Sequence, residues 1–419
     1  MNLRERFLEI MRNFNTNVRS IKWEFGYWGK TINNWYKQGL PKKNPAPIPT
    51  EISSPTASLY TVAWTCENKF RYKDGVENFP DGIAITAGGL YWPTQGLPLD
   101  RDVKDYFNMD ETQQLIDVNL LFYPMFEPKT LEEDENHLKY QDVDGVIRLF
   151  LKETATIPSG WEWPIKDEKS WEEIKKERIN FDNIRQRLPK NWDRLVKEYK
   201  NRDYPLVLGG YPHGFFGTPA HLLGYDRLFY FYFDKPKLIH DILNTFTELW
   251  IAVYSEVLAD IEVDAVHIWE DISFGRGSMV SPNIIREFML PYYKRFTSFL
   301  KSRGVDIILV DTDGYCMDII PLFIEGGITG MYPFEVSCGM DIIKVRKKFP
   351  KLQMMGGIPK SDISLGKRRI DEILEPVKEI LKTGGYIPFG DHLIPPEIRW
   401  NDFTYYRNRL NNIIDEFGK

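Results

Sequence analysis

The chain has 419 residues, 54 Lys and Arg against 60 Asp and Glu, and a formal net charge of −6. That length holds one large barrel with insertions or two domains, and the mild negative charge, with no basic block, argues against nucleic acid as a partner. The 3 cysteines, Cys66, Cys316 and Cys338, are too few for a disulfide framework and point to a reducing, cytoplasmic setting; no stretch approaches the ~18 apolar residues of a membrane span, and the charged N-terminus lacks the apolar core of a secretory signal.

In chain order, residues 2–15 predict a helix with Leu3, Phe7, Leu8, Ile10, Met11 and Phe14 on one broad apolar face. Residues 20–25 follow as a first strand. Residues 26–40 carry Trp28, Trp35 and Tyr36 and are expected to cover a barrel mouth; the Trp28 and Trp35 cluster could line an aromatic pocket, but helix packing is the stronger reading of it. The proline-rich 41–55 reads as an irregular connection. Residues 56–165 give short β-like runs at 59–64, 82–86 and 146–151 and a helical stretch at 110–121, taken together as barrel elements mixed with an insertion. Residues 171–200 form a charged helical region, and 205–210 (PLVLGG) a compact buried strand with the loop 211–217 behind it.

From there the alternation is regular. Helices are expected at 234–260, at 282–303 with Ser281 as N-cap and Pro282 in its first position, at 315–325, 340–349, 368–382 and 403–417. Between them lie apolar strands at 263–269, 305–310, 328–333, 352–356 and 386–390. Strands apolar throughout are buried on both faces. The pattern predicts an α/β fold, a (β/α)8 TIM barrel with an N-terminal helical cap and an insertion in its first half. Chain 1–60 would be the cap and first strand, 61–200 the early barrel elements, and 201–419 the regular units. Chemistry in such a barrel sits at the C-terminal ends of the strands.

The motifs RERFLEIM, WEFGYWGKTINNWYKQGLP, SPNIIREFMLPYYKR, VDTDG, GGIPK and GGYIPFGDHLIPPEI, in this order and spacing, resemble the uroporphyrinogen decarboxylase superfamily over nearly the whole chain. The resemblance implies the same (β/α)8 barrel. It also implies one of two chemistries: cofactor-free decarboxylation of a tetrapyrrole, or zinc-dependent methyl transfer involving a corrinoid protein or a thiol. The decarboxylase branch carries an arginine-rich N-terminal motif for its substrate's carboxylates. The corresponding stretch here, SIKWEFGYWGKT, has Lys22 and Lys30 but no arginine pair, and bidentate recognition needs arginine.

The resemblance assigns metal ligation to the strand ends. Asp311 and Asp313 stand where zinc methyltransferases hold a His-x-Cys pair, and His392, beside Asp391, stands at the last metal-binding position; Cys338 adds a thiolate. One Asp of the pair could instead cap a helix near Tyr315, His392 could be a loop histidine bonded to backbone, and Cys338 a buried inert thiol. Glu270, Asp271 and Glu335 are the candidate acid/base residues, with salt bridging around Arg276 as the alternative for the first two. Trp23, Tyr27, His213, Phe215 and Tyr332 are candidates for substrate contact. His267, His221, His240, Cys66 and Cys316 read as structural.

These expectations combine into a zinc-dependent methyltransferase of O-demethylase type. Its donor would be a small molecule such as a methoxylated aromatic, and its acceptor a cobalamin on a separate corrinoid protein, because the chain has no Asp-x-His-x-x-Gly signature of its own. A homodimer is compatible with the sequence. The alternatives are a metal-free decarboxylase and a non-catalytic tetrapyrrole- or corrinoid-binding protein.

Overall fold

The computed structural model describes residues 1–43, 100–151 and 158–417, together with the backbone of 84–86. The expectations for 59–64 and Cys66, and most of 41–55, lie outside the described residues.

The centre is a curled seven-stranded parallel sheet. Its order is Tyr386–Ile387, Gln353–Met355, Gly330–Pro333, Ile308–Thr312, Ala265–Trp269, Leu206–Gly210 and Gln114–Leu115. All neighbours are parallel. Six of these strands are the ones that the apolar runs from 205 onward predict, because strands covered on both faces leave an uninterrupted apolar signature.

Residues 20–25 run between the two edge strands and close the wall largely through side chains. Ser20 Oγ donates to Tyr386 O at 2.8 Å, Asp110 N to Lys22 O at 3.2 Å, Lys22 N to Asp110 Oδ2 at 2.8 Å and Trp23 Nε1 to Glu111 O at 2.6 Å. Glu24, fully buried, accepts from Gly390 N at 2.6 Å and from Tyr406 Oη at 3.1 Å, and Arg407, also fully buried, stands 3.5 Å away and donates to Trp23 O at 2.7 Å. The expected first strand is thus an extended wall segment, while the regular strand beside it, Gly26–Trp28, pairs antiparallel with Ala84–Thr86.

Side chains from all of these walls fill the lumen: Ile21 and Trp23, Leu115, Val207, Ala265, Leu309, Tyr332, Met355, and Ile387 with Phe389. The helix Leu3–Met11 closes its lower end. Asn2 caps it in a reciprocal box with Glu5, at 2.8 and 2.9 Å, and Phe7, Ile10 and Met11 enter the lumen cluster. Gln353 Nε2 donates to Met11 O at 2.8 Å and Gly385 N to Ile10 O at 3.1 Å. These partners precede or begin the strands, so the helix blocks the N-terminal end and leaves the C-terminal end open. Burying three such side chains contributes ~1.5–3 kcal/mol each.

One expectation is corrected in the first half. Residues 110–121 are not helical; they contain the short strand Gln114–Leu115 and extended chain. Ile116, Val118, Leu120 and Phe122 alternate into the outer core, a period of two rather than 3.6. The insertion is a four-stranded antiparallel sheet, Lys129–Glu133, His137–Gln141, Ile147–Leu151 and Ser159–Glu162, followed by the helices Glu168–Arg178 and Trp192–Lys200. In the second half, the helix from Pro282 to Ser302 widens to π geometry at Ile285–Met289, just before Pro291, which has no N–H to continue the α pattern. No helix among the described residues is long and apolar enough to cross a membrane.

Candidate active site at the barrel mouth

The strand ends converge on a mouth rich in carboxylates. After Ile308–Thr312 the chain turns at Gly314, φ 75°, where a Cβ would lie 2.6 Å from the backbone of Ser273 and Phe274. Only glycine fits, and the turn leaves Asp311 and Asp313 half-buried at the rim. At Gly356, φ 94°, a Cβ would meet Pro333 O at 2.4 Å; this close approach carries Lys360 across to the neighbouring strand ends. Asp271, φ 44°, and Phe334, φ 62°, are held in left-handed conformations that cost non-glycine residues energy. Both stand at the rim.

Lys360 organises one side. Its Nζ is 3.4 Å from Glu335 Oε1 and 3.5 Å from Asp391 Oδ1. Asp391 also accepts from Lys360 N at 3.0 Å and Val336 N at 2.9 Å. Glu335 accepts from Gly314 N at 2.9 Å. Burial works against charge on Glu335, but the Gly314 N–H and the Lys360 ammonium hold its pKa below the usual value. Asp391 is pushed up by burial, against the same lysine. The Cys338 thiol points at Glu335 Oε2, 3.5 Å away, and burial and that carboxylate raise its pKa.

On the other side burial and repulsion outweigh the compensation, although Lys360 draws Asp313 down. Burial, then repulsion from Asp313, pushes Asp271 up to about 8. Burial and Glu335 push Asp313 up to about 7. Asp311 is raised well above the usual carboxylate range by burial, with Asp271 and Asp313 adding to it. Three carboxyls crowded together in low dielectric hold protons that isolated ones would release. Asp313 Oδ2 lies 3.5 Å from His392 Nε2. Burial and then Lys360 lower that imidazole to about 4, so it is neutral near pH 7. Its ring stacks on Phe25, centroids 5.0 Å apart, with Phe389 at 6.2 Å from Phe25. Beneath Asp311, the Tyr332 hydroxyl bonds both that carboxyl and His267 Nδ1, the latter at 2.8 Å.

The structure therefore brings together Asp271, Asp311, Asp313, Glu335, Cys338 and His392, with Tyr332 below them. It places the other expected site residues elsewhere. Glu270 faces away from the mouth, fully buried, accepting from Phe215 N at 2.8 Å, Phe216 N at 2.6 Å, Gly217 N at 2.9 Å and from Tyr293 Oη. His213 packs on Trp250, centroids 4.2 Å apart, and Phe215 on Tyr293 at 4.4 Å, both in the outer core. Trp23 is lumen packing. Tyr27 lies among Trp35 and Phe403, at 5.4 and 5.7 Å, so that tryptophan cluster is a helix-packing core and not a pocket lining. For Glu270 the reason is alternation at the strand end: the neighbour of a mouth residue points into the shell of helices. Lys360, Phe25 and Trp269 were not singled out by sequence. The GGIPK motif contained the lysine, but only the glycine turn shows where it goes.

Among the described residues no group of three or more His, Cys, Asp and Glu side chains is placed to hold a metal ion. Asp311 is bonded to Tyr332, the Cys338 thiol is directed at Glu335, and a lysine cation occupies the anionic side. As placed, Asp311, Asp313, Cys338 and His392 do not form a zinc centre.

A parallel (β/α) barrel with perturbed acids at its strand ends has the construction of a barrel enzyme. Residues 162–405 match the family model described as Uroporphyrinogen decarboxylase (URO-D), and the chain belongs to that family. No curated protein matches it. Among solved structures, a methyltransferase from Methanosarcina mazei is 18% identical, with a TM-score of 0.48, covering 65% of this chain and 76% of that one. A putative vitamin-B12 independent methionine synthase from Listeria monocytogenes is 15% identical, with a TM-score of 0.31, covering 54% and 70%. A B12-independent methionine synthase from Shewanella sp. W3-18-1 is 8% identical, with a TM-score of 0.37, covering 75% and 86%. Likenesses this remote carry no argument about activity.

Proposed function

We propose that the chain is a URO-D-family enzyme that moves a methyl group from a small oxygen-bound donor, of the methoxylated aromatic class, to a corrinoid carried by a separate protein. The observation that supports this reading is the crowding of acids at the mouth. Asp271, Asp311, Asp313, Glu335 and Asp391 crowd there, with Lys360 already shared between two of them. Lys22, from the stretch where a carboxylate-gripping motif was sought, pairs instead with Asp415 at 2.7 Å. A substrate with many carboxylates would bring further negative charge to acids that already hold protons because they crowd one another. A neutral aryl ether would not, and the Phe25–His392 stack and Phe389 offer it an aromatic wall.

Breaking a methyl–oxygen bond leaves an electron pair on the oxygen, which departs far more readily if it is protonated. A neutral Asp311 or Asp313 donates that proton and becomes a carboxylate, and Tyr332 can then turn its hydroxyl toward Asp311 to stabilise the new charge. His392, neutral and stacked on Phe25, orients the ring, with Asp313 Oδ2 3.5 Å from its Nε2. The corrinoid supplies the nucleophile that receives the methyl group. Proton donation thus fills the role that a Lewis-acidic zinc would otherwise have.

The test is substrate choice. Purified protein is given 2-methoxyphenol with reduced cobalamin, and separately uroporphyrinogen. Demethylation of the phenol without carbon dioxide release from the tetrapyrrole supports the reading. Carbon dioxide release with no demethylation overturns it in favour of the decarboxylase.

A further inference from the structure

The inserted sheet reaches back to the barrel through a chain of three polar side chains. Tyr211 follows the Leu206–Gly210 strand directly and so stands at the mouth. Its hydroxyl is 2.8 Å from His221 Nδ1. The other ring nitrogen, Nε2, is 2.6 Å from Asp144 Oδ2. Asp144 lies in the turn between two strands of the insertion and is itself fixed by Arg148, whose Nη1 and Nη2 reach its two oxygens at 3.0 and 2.6 Å, and by Val146 N at 2.9 Å. Asp142 holds Arg148 from behind at 3.1 Å. A carboxylate can only accept, so Nε2 carries the proton and Nδ1 presents its lone pair to the phenol. The tautomer is assigned from these partners.

The order hydroxyl, imidazole, carboxylate is the arrangement that activates a side-chain nucleophile or base. Arg148 also hydrogen-bonds the Tyr211 hydroxyl and lies 3.2 Å from His221 Nε2, so it ties the insertion to the barrel; that anchoring does not require the hydroxyl to lie on His221 Nδ1 as well. Tyr211 as a residue is 48% exposed, while its hydroxyl end is turned inward against the insertion, where burial acts on it. Its ring meets Trp269 edge-on at 4.7 Å, and the Trp269 side chain hydrogen-bonds Asp271. The relay therefore ends one residue from the acid cluster.

We propose that Tyr211 is an activated hydroxyl of the mouth, with His221 as its base and Asp144 as the residue that orients the ring. In the forward step the phenolic oxygen takes a proton from a substrate donor while its own proton passes to His221 Nδ1, giving an imidazolium beside Asp144; the proton returns by the same path. Burial raises the Tyr211 phenol, with Arg148 opposing, to about 12, and burial lowers His221 despite Asp144. Free phenolate is therefore scarce, and the transfer is concerted. The groups facing this pair are Asp144, Arg148 and Asp142 from the insertion, and Trp269 from the barrel. The inference does not rest on methyl transfer.

Its test needs no knowledge of the substrate. The intact protein is treated with an aryl sulfonyl fluoride at pH 7 and labelled tyrosines are located by peptide mass spectrometry. In labelling, the phenolic oxygen bonds to sulfur, fluoride leaves, and the phenolic proton goes to His221. Tyr230, 70% exposed, is the internal reference. The expected result is that Tyr211 reacts at least ten times faster than Tyr230 despite lower exposure, and that His221→Gln removes the advantage while Tyr230 keeps its rate. Tyr211 labelling no faster than Tyr230, or undiminished in the folded His221→Gln protein, would overturn the proposal. If His221→Gln does not fold, the comparison within the unmodified chain decides alone.

Discussion

Glu270→Ala separates a structural carboxylate from a catalytic one. The side chain accepts from three buried backbone N–H groups, on Phe215, Phe216 and Gly217, and from the Tyr293 hydroxyl. Truncation leaves the three N–H groups without an acceptor in a site closed to solvent. Each such loss costs about 1–3 kcal/mol, and the terms share one loop, so the net is about 3–5 kcal/mol rather than their sum. Against a typical total of about 5–15 kcal/mol this is severe. Urea unfolding followed by tryptophan fluorescence should show a much lower midpoint, with Glu270→Gln, which keeps one acceptor oxygen, losing about 1–3 kcal/mol. Below its unfolding transition the alanine variant should turn over donor at a rate within a few-fold of the parent. Unchanged stability together with lost turnover would refute the reasoning and return Glu270 to the mouth.

Four other outcomes follow from the geometry. Asp313→Asn and Asp311→Asn should each lower kcat for methyl transfer by about 10²–10⁴-fold, the usual worth of a proton donor, with little change in the thermal midpoint. Asp271, Asp311 and Asp313 all have folded pKa values above the unfolded ~3.9; their favourable contribution is complete below about pH 4 and is lost as pH rises through about 7 and 8, the values for Asp313 and Asp271. Stability measured by denaturation should therefore fall across that range, and Asp271→Asn should flatten the fall. Lys360→Met removes the cation shared by Glu335 and Asp391 and should shift the pH–rate profile upward. Arg407→Met leaves the buried Glu24 carboxylate without its cation and should cost about 3–5 kcal/mol, seen as a lower urea midpoint.

The barrel was legible from residue 205 onward because each strand there is apolar on both faces and each helix is amphipathic. The first half hid its elements for distinct reasons. The 20–25 wall is held by Glu24, Arg407 and Asp110 side chains rather than by a continuous ladder, so no strand periodicity was required of it. At 110–121 the core residues Ile116, Val118, Leu120 and Phe122 alternate over too short a run for periodicity to separate strand from helix. The insertion strands Lys129–Glu133 and Ser159–Glu162 are solvent-exposed and charged or polar, without the apolar alternation that marks a half-buried strand.

Site residues divided by the same logic. Asp311, Asp313, Glu335 and His392 could be placed at the mouth from sequence because each follows a strand end of the barrel. Glu270 and His213 were also at strand ends, but they point into the helical shell, and a one-residue change of side cannot be read from a strand that is apolar on both faces. The Tyr211–His221–Asp144 relay joins positions far apart in the chain, one of them in an insertion whose sheet the sequence did not reveal.

The most direct measurement follows the methyl group itself. The enzyme is mixed with a methoxylated phenol carrying a ¹³C-labelled methyl and with reduced cobalamin, after exhaustive treatment with a chelator, and a single turnover is read by mass spectrometry. The account predicts labelled methyl on cobalamin and free catechol, at a rate the chelator does not alter and that Asp313→Asn lowers. Label that stays on the phenol, or transfer that stops on chelation and returns with added zinc, would contradict it.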